Sequence, residues 1–152
     1  MHRSLLTNRN IIFVRLNSNN IMKIVYNKFI PFEGYLAINL FGVLFVRGTR
    51  GATQHRINNR LLTHEEIHTA QMKELGYIFF YLWYFVEYCI IRLFHRKQNC
   101  AYHDVSFEEE AYLHENDYTY LRNRKHYSWT KFLRVKSNHT HTGRGYLSKI
   151  GW

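Results

Sequence analysis

Proline and cysteine are nearly absent. Pro31 is the single proline in 152 residues, and Cys89 and Cys100 are the two cysteines. Two cysteines exclude a disulfide-stapled scaffold, so free thiols in a reducing compartment are expected. Cys100-x-x-His103 has zinc-ligand spacing, but no second pair completes four ligands. Acid is missing from both ends. Residues 1–62 hold nine Lys/Arg against Glu33 alone, and residues 124–152 hold seven against none. Between them, residues 63–123 carry ten acids against five bases, so an acidic centre lies between two basic arms. Solvated surface accounts for such arms, as does contact with an anionic membrane surface. Nucleic acid is the other anionic partner such arms suit, and no recognised nucleic-acid motif supports it. The chain shows no internal repeat, no phosphate-binding glycine loop and no Ser/His/Asp arrangement. No secretory signal is expected, because Ile11-Ile12-Phe13-Val14 is short for one and no small-residue cleavage site follows. A cytoplasmic protein is expected, with association at the inner membrane left open.

Aromatics are plentiful, with 12 Tyr, 11 Phe and 3 Trp. The stretch with the most chemistry is Thr63-His64-Glu65-Glu66-Ile67-His68-Thr69-Ala70-Gln71, which contains H-E-x-x-H. On a helix, residues four apart share a face, so His64 and His68 can offer two imidazoles to one Zn²⁺. Glu65 follows the first of them and can serve as general base to a metal-bound water. Thr63-x-x-Glu66 is a capping box that would start the helix, and a start near Asn58 or Asn59 would centre the histidines in it.

Around this stretch the pattern predicts a small α+β domain. Ile24–Tyr26 and Phe41–Val46 read as strands, with Pro31 and Gly34 marking a turn between them. The second of these reads as an ordinary core strand or, as likeness to zinc proteases would imply, as one whose edge meets an extended substrate. Residues 77–94 form an 18-residue run with two charges, Glu87 and Arg92, and four tyrosines. A buried core helix, an interfacial helix and a membrane span all remain open for it. Ser106-x-x-Glu109 is a second capping box, predicting a helix from Phe107 whose buried stripe is Phe107, Ala111, His114, Tyr118 and Leu121. Helical geometry places Glu110 nearer that stripe than Glu108. Residues 124–134 interleave basic and aromatic side chains, as in a lipid-bound amphipathic helix or a cap of Trp129, Phe132 and Leu133 on the core. Residues 1–21 are expected to be disordered or an extension, 22–136 a single domain, and 137–152 a flexible basic tail.

H-E-x-x-H followed by a later helix reading E-x-x-A resembles the gluzincin zinc metallopeptidases. Phe107-Glu108-Glu109-Glu110-Ala111-Tyr112 is similar to the F-E-x-x-A-D signature of the HtpX-like membrane peptidases, and His68-Thr69-Ala70-Gln71 to the H-x-x-Q of small bacterial gluzincin-like families. The resemblance covers about residues 40–123 and implies a zincin-like domain: a short sheet, the H-E-x-x-H helix, the long aromatic helix and a glutamate-bearing helix. It implies Zn²⁺ held by His64, His68 and Glu108, with Glu110 the alternative third ligand. Tyr112 stands where the family has an aspartate that supports the metal histidines. The implied activity is peptide-bond hydrolysis by water that Glu65 activates. Tyr112, His114 and His126 are the candidates for stabilising the oxyanion. The competing expectation is a non-catalytic metal-binding or membrane-associated protein that keeps the fold.

Overall fold

A computed structural model describes residues 5–6, 10–17, 20–94 and 103–133. The expected tail over 137–152 and the Cys100 end of the Cys-x-x-His pair lie outside the described residues. The chain is mixed α+β, and the described residues divide into two compact units, one ending at Arg56 and one opening at Ile57.

The first unit is built on strands β1 (Leu5–Leu6), β2 (Ile11–Asn17), β3 (Asn20–Asn27), β4 (Ala37–Leu40) and β5 (Val43–Arg47). They form one sheet in the order β1-β2-β3-β5-β4. The β3–β5 pair is parallel and the others antiparallel. Ile24, Tyr26, Leu44 and Val46 are buried while their neighbours are partly exposed, the period-two alternation of a sheet covered on one face. Two expectations fail here. Ile11–Asn17, read as lying outside the domain, is a strand paired along β3. The strand read as Phe41–Val46 begins two residues later. Phe41 (φ 53°) and Gly42 (φ 77°) both adopt the left-handed region and make the two-residue hairpin turn that joins Leu40 to Val43. Hydrophobicity made Phe41 look like strand, and the turn geometry overrode it. β5 also has no free edge to offer a substrate, because β3 and β4 occupy both sides. After β3, Asn27 Oδ1 accepts from the backbone of Phe29 and Ile30, turning the chain. Arg47 then ties the loop down through the carbonyls of Phe29 and Pro31. A short helix, α1 (Arg50–Thr53), ends the unit with a 3₁₀ turn.

The second unit begins with α2 (Asn59–Leu75). Its cap is Asn58, whose side chain accepts from Leu61 N at 2.8 Å. Thr63 and Glu66 are buried inside the helix and do not start it, so the histidines lie in its interior turns. Gly76, at φ 74°, breaks the chain into α3 (Tyr77–Phe94), which runs at 107° to α2. Among the described residues no single helix is long and apolar enough to cross a membrane. α3 buries Phe80 and Ile91 in a core with Met72, Val105, Phe107 and Trp129. The ring of Phe107 lies 4.6 Å from Phe80 and 4.7 Å from Trp129. Trp129 reaches this core from a 3₁₀ turn, Ser128–Phe132, which replaces the longer amphipathic helix. Leu133, expected in the same cap, is exposed.

α4 (Ser106–His114) starts one residue before the predicted Phe107 and stops sooner. A separate short helix, α5 (Tyr120–Asn123), follows it. The expected stripe therefore breaks after His114, and Tyr118 is exposed. The predicted Ser-x-x-Glu box does not cap α4. Glu87 of α3 does so from outside, accepting from Ser106 N at 2.9 Å and Ser106 Oγ at 2.7 Å. Burial raises the Glu87 carboxyl above its usual value, against these two hydrogen bonds. A neutral acceptor therefore fits the position nearly as well. Glu87→Ala should cost about 1–3 kcal/mol in urea unfolding, the value of orphaned buried donors. Glu87→Gln should lose less than half as much, and equal losses would show that the cap is not the source.

Candidate metal centre

α2 and α4 pack together in the second unit and bring the motif residues to one point. Helical periodicity stacks His64 under His68, and their Nε2 atoms are 3.1 Å apart. From α4, Glu108 sets Oε2 at 3.4 Å from His64 Nε2 and Oε1 at 3.4 Å from His68 Nε2. Both imidazoles are 6% exposed and Glu108 is 2% exposed. Donors about 2.0–2.1 Å from one tetrahedral ion stand about 3.3 Å from each other, and this triangle has nearly those sides. Glu108 Oε2 is buried and makes no hydrogen bond, an orphan that a cation inside the triangle would satisfy. Among the described residues, these three side chains form the His/Cys/Asp/Glu group able to hold a metal. Two imidazoles and a carboxylate suit zinc and other borderline divalent ions.

The rings are oriented from behind. Gln71 donates its amide nitrogen to Phe107 O at 3.1 Å and to Glu110 Oε2 at 2.9 Å, so its Oε1 faces His68 Nδ1 at 2.8 Å. An acceptor there places the proton on Nδ1 and leaves the Nε2 lone pair for a ligand. Glu115 Oε2 lies 3.3 Å from His64 Nδ1, an ion-pair contact without hydrogen-bond geometry, while Arg60 holds the other Glu115 oxygen. Tyr84 of α3 donates to Glu108 Oε1 at 3.1 Å.

Without a metal the centre is balanced by protons. Burial alone would lower the His64 pKa, but the carboxylates of Glu108 and Glu115 beside it raise it to about 10. His68 is raised against burial mainly by the charge of Glu108. Burial would raise Glu108, yet the charge of His68 and the two imidazoles set against it hold it far below the usual carboxylate range.

The other candidates divide between two places. Glu65 is half-buried, and its charge acts on His64, His68 and Tyr112. The Tyr112 ring meets His64 edge-on at 4.6 Å. Burial, then the charges of Glu108 and Glu115, push its hydroxyl well above the usual tyrosine value, so it stays a donor at neutral pH. Glu110, the alternative ligand, turns instead to Arg124, whose Nε lies 2.6 Å from Oε1, and to Gln71 and Tyr120. Arg124 also clamps Glu74. His114 stacks on Tyr120 at 3.7 Å, and His126, largely exposed, has Nδ1 3.6 Å from Glu74. Both therefore sit with the arginine cluster. Sequence reasoning missed Glu115, Tyr84, Arg124, Glu74 and Arg60. Gln71 was visible as part of the motif, without its role. No family model, curated protein or solved structure matches the chain.

Two expectations follow. Glu115→Gln should weaken Zn²⁺ binding about 10–100-fold while the far-ultraviolet dichroism is unchanged, the usual effect of losing a ligand's orienting partner. Competition with a zinc-chelating dye reads this. Arg124→Met should destabilise the protein by about 3–5 kcal/mol, since it strands two buried carboxylates. Burial opposes ionisation of Glu110, but hydrogen bonds from Arg124, Gln71 and Tyr120 hold its carboxyl below the ordinary 4.5. A depressed folded-state pKa gives stability that is present above that ordinary value and lost as pH falls through the folded one. The gap between wild type and Arg124→Met should therefore narrow in acid denaturation below about pH 4.5.

Proposed function

We infer that the chain is a zinc-dependent peptide hydrolase with a zincin-like arrangement of the gluzincin kind. The observation carrying this reading is the His64–His68–Glu108 triangle, whose two Nε2 atoms face one carboxylate while Gln71 holds His68 Nδ1 and Glu115 lies beside His64 Nδ1. Those three side chains would hold the ion. A bound Zn²⁺ supplies Lewis acidity and lowers the pKa of coordinated water to about 7. Three protein ligands, not four, is the pattern of a site that keeps a position open for chemistry.

The chain's own residues supply the rest. Glu65 sits beside His64 in sequence, and its carboxylate oxygens would take a proton from attacking water and return it to a leaving amine. Tyr112, kept protonated, would donate its hydroxyl to negative charge developing on a scissile carbonyl oxygen. Glu115 and Gln71 would keep the histidines in the tautomer that binds a cation. The substrate class is an extended peptide or protein segment.

A second reading is a metal site without turnover, favoured by the burial of all three ligand side chains. One pair of variants separates them. Glu65→Gln should retain wild-type zinc content and lose about 10²–10⁴-fold in peptide hydrolysis, the worth of a positioned general base. His64→Ala should lose the zinc itself. Wild-type protein carrying one zinc but no more active than Glu65→Gln on a broad peptide library would leave the non-catalytic reading standing.

A further inference from the structure

The two carboxylate oxygens of Glu108 are differently engaged. Oε1 accepts a hydrogen bond from the Tyr84 hydroxyl at 3.1 Å. Oε2 is buried and accepts none. Each carboxylate oxygen has two acceptor sites. At Oε1 one of them is taken by the phenolic proton, and the pull of that proton weakens the other. At Oε2 neither makes a hydrogen bond, so this oxygen is the better donor to a cation. Whether one oxygen binds or both decides how many protein atoms surround the ion. One oxygen with the two Nε2 atoms makes three and leaves a tetrahedral ion one position for water. Both oxygens make four and fill that set with protein.

The hydroxyl is held firmly where it is. The Tyr84 ring lies at 17° to the ring of Phe107, with centroids 6.3 Å apart, and 6.1 Å from that of Phe80. Phe107 immediately precedes Glu108, so the phenol and the carboxylate are set from adjacent positions of one helix. Three residues further along α3, Glu87 accepts from both Ser106 N and Ser106 Oγ. α3 thus grips the first turn of α4 at two points, Ser106 and Glu108, and neither contact can turn without the other. We propose that Tyr84 is a positioning residue that confines Glu108 to binding through Oε2 alone and so keeps the fourth position of the ion open. This rests on the metal-centre part of the function proposed above and extends it to a residue of α3 that is no ligand. Tyr84 acts through Glu108, as the hydrogen-bonded partner of a ligating carboxylate.

The test is the visible spectrum of the full chain loaded with Co²⁺, which absorbs several-fold more strongly with four ligands than with five. Wild type should show the intense four-coordinate spectrum, from two imidazoles, Oε2 and water. Tyr84→Phe keeps the ring in the core and removes the hydroxyl. Its Glu108 should bind through both oxygens, and absorption per bound cobalt should fall several-fold as the ion becomes five-coordinate. Tyr81→Phe, which removes a hydroxyl 3.7 Å from Met72 Sδ on the same helix, should match wild type. An unchanged thermal melt verifies the fold of each variant. A weak five-coordinate spectrum in wild type overturns the proposal, and so does an intense one in Tyr84→Phe. Weakened cobalt affinity with that intense spectrum would reduce Tyr84 to a support for helix packing. Cobalt bound equally by His64→Ala comes from other side chains and overturns the metal centre, and the proposal with it. Peptide hydrolysis enters none of these outcomes, so a loaded but inert protein ends the hydrolase reading and leaves this one standing.

Discussion

Three carboxylates within eight residues of α4 and its C-cap are buried, and buried charge must be met where it lies. Glu108, Glu110 and Glu115 each cost several kcal/mol to desolvate and would unfold the second unit if left alone. Each has its own counter-charge: the imidazole pair for Glu108, Arg124 for Glu110, and Arg60 for Glu115. Two of these partners lie on α2, so the crossing of α2 with α4 is a condition of charge balance as well as of packing. The metal centre is the part of this balance in which protons and a divalent ion can substitute for one another.

The aromatic core holds the frame in which that balance is struck. Phe107 sits one residue before Glu108 and is clamped by Phe80, Tyr84 and Trp129. Its carbonyl also receives the Gln71 amide. Tyr84 takes part in both systems, its ring in the core and its hydroxyl on Glu108. α3 thus supports the centre without supplying a ligand to it.

Much of the centre was legible because periodicity is a local property. Four-residue spacing put His64 and His68 on one face, while the start of α2 stayed open between the Thr63 box and Asn58, and the fold takes Asn58. Choosing Glu108 over Glu110 was beyond periodicity. Both are buried, and which one meets the histidines depends on how α4 is rolled against α2, a tertiary fact. The motif resemblance pointed to the one that the fold places there. Glu115 was invisible for a related reason: it lies past the last turn of α4, where spacing rules stop. The sheet was misjudged where hydrophobicity and backbone geometry disagree, at Phe41. Ile11–Val14 was passed over because a short apolar run carries no sign of the strand it will pair with.

Gln71 shows how little it takes to make an assembly of helices single-valued. A carboxylate accepts at both ends and an ammonium donates at all of them, so either would tolerate sliding. An amide has one end of each kind. With its nitrogen committed to α4 and its oxygen to an imidazole, a shift of one residue between the helices would set donor against donor and acceptor against acceptor. The side chain acts as a key that fits in one orientation, so the alignment of the two helices and the direction in which an imidazole offers its electrons become one variable.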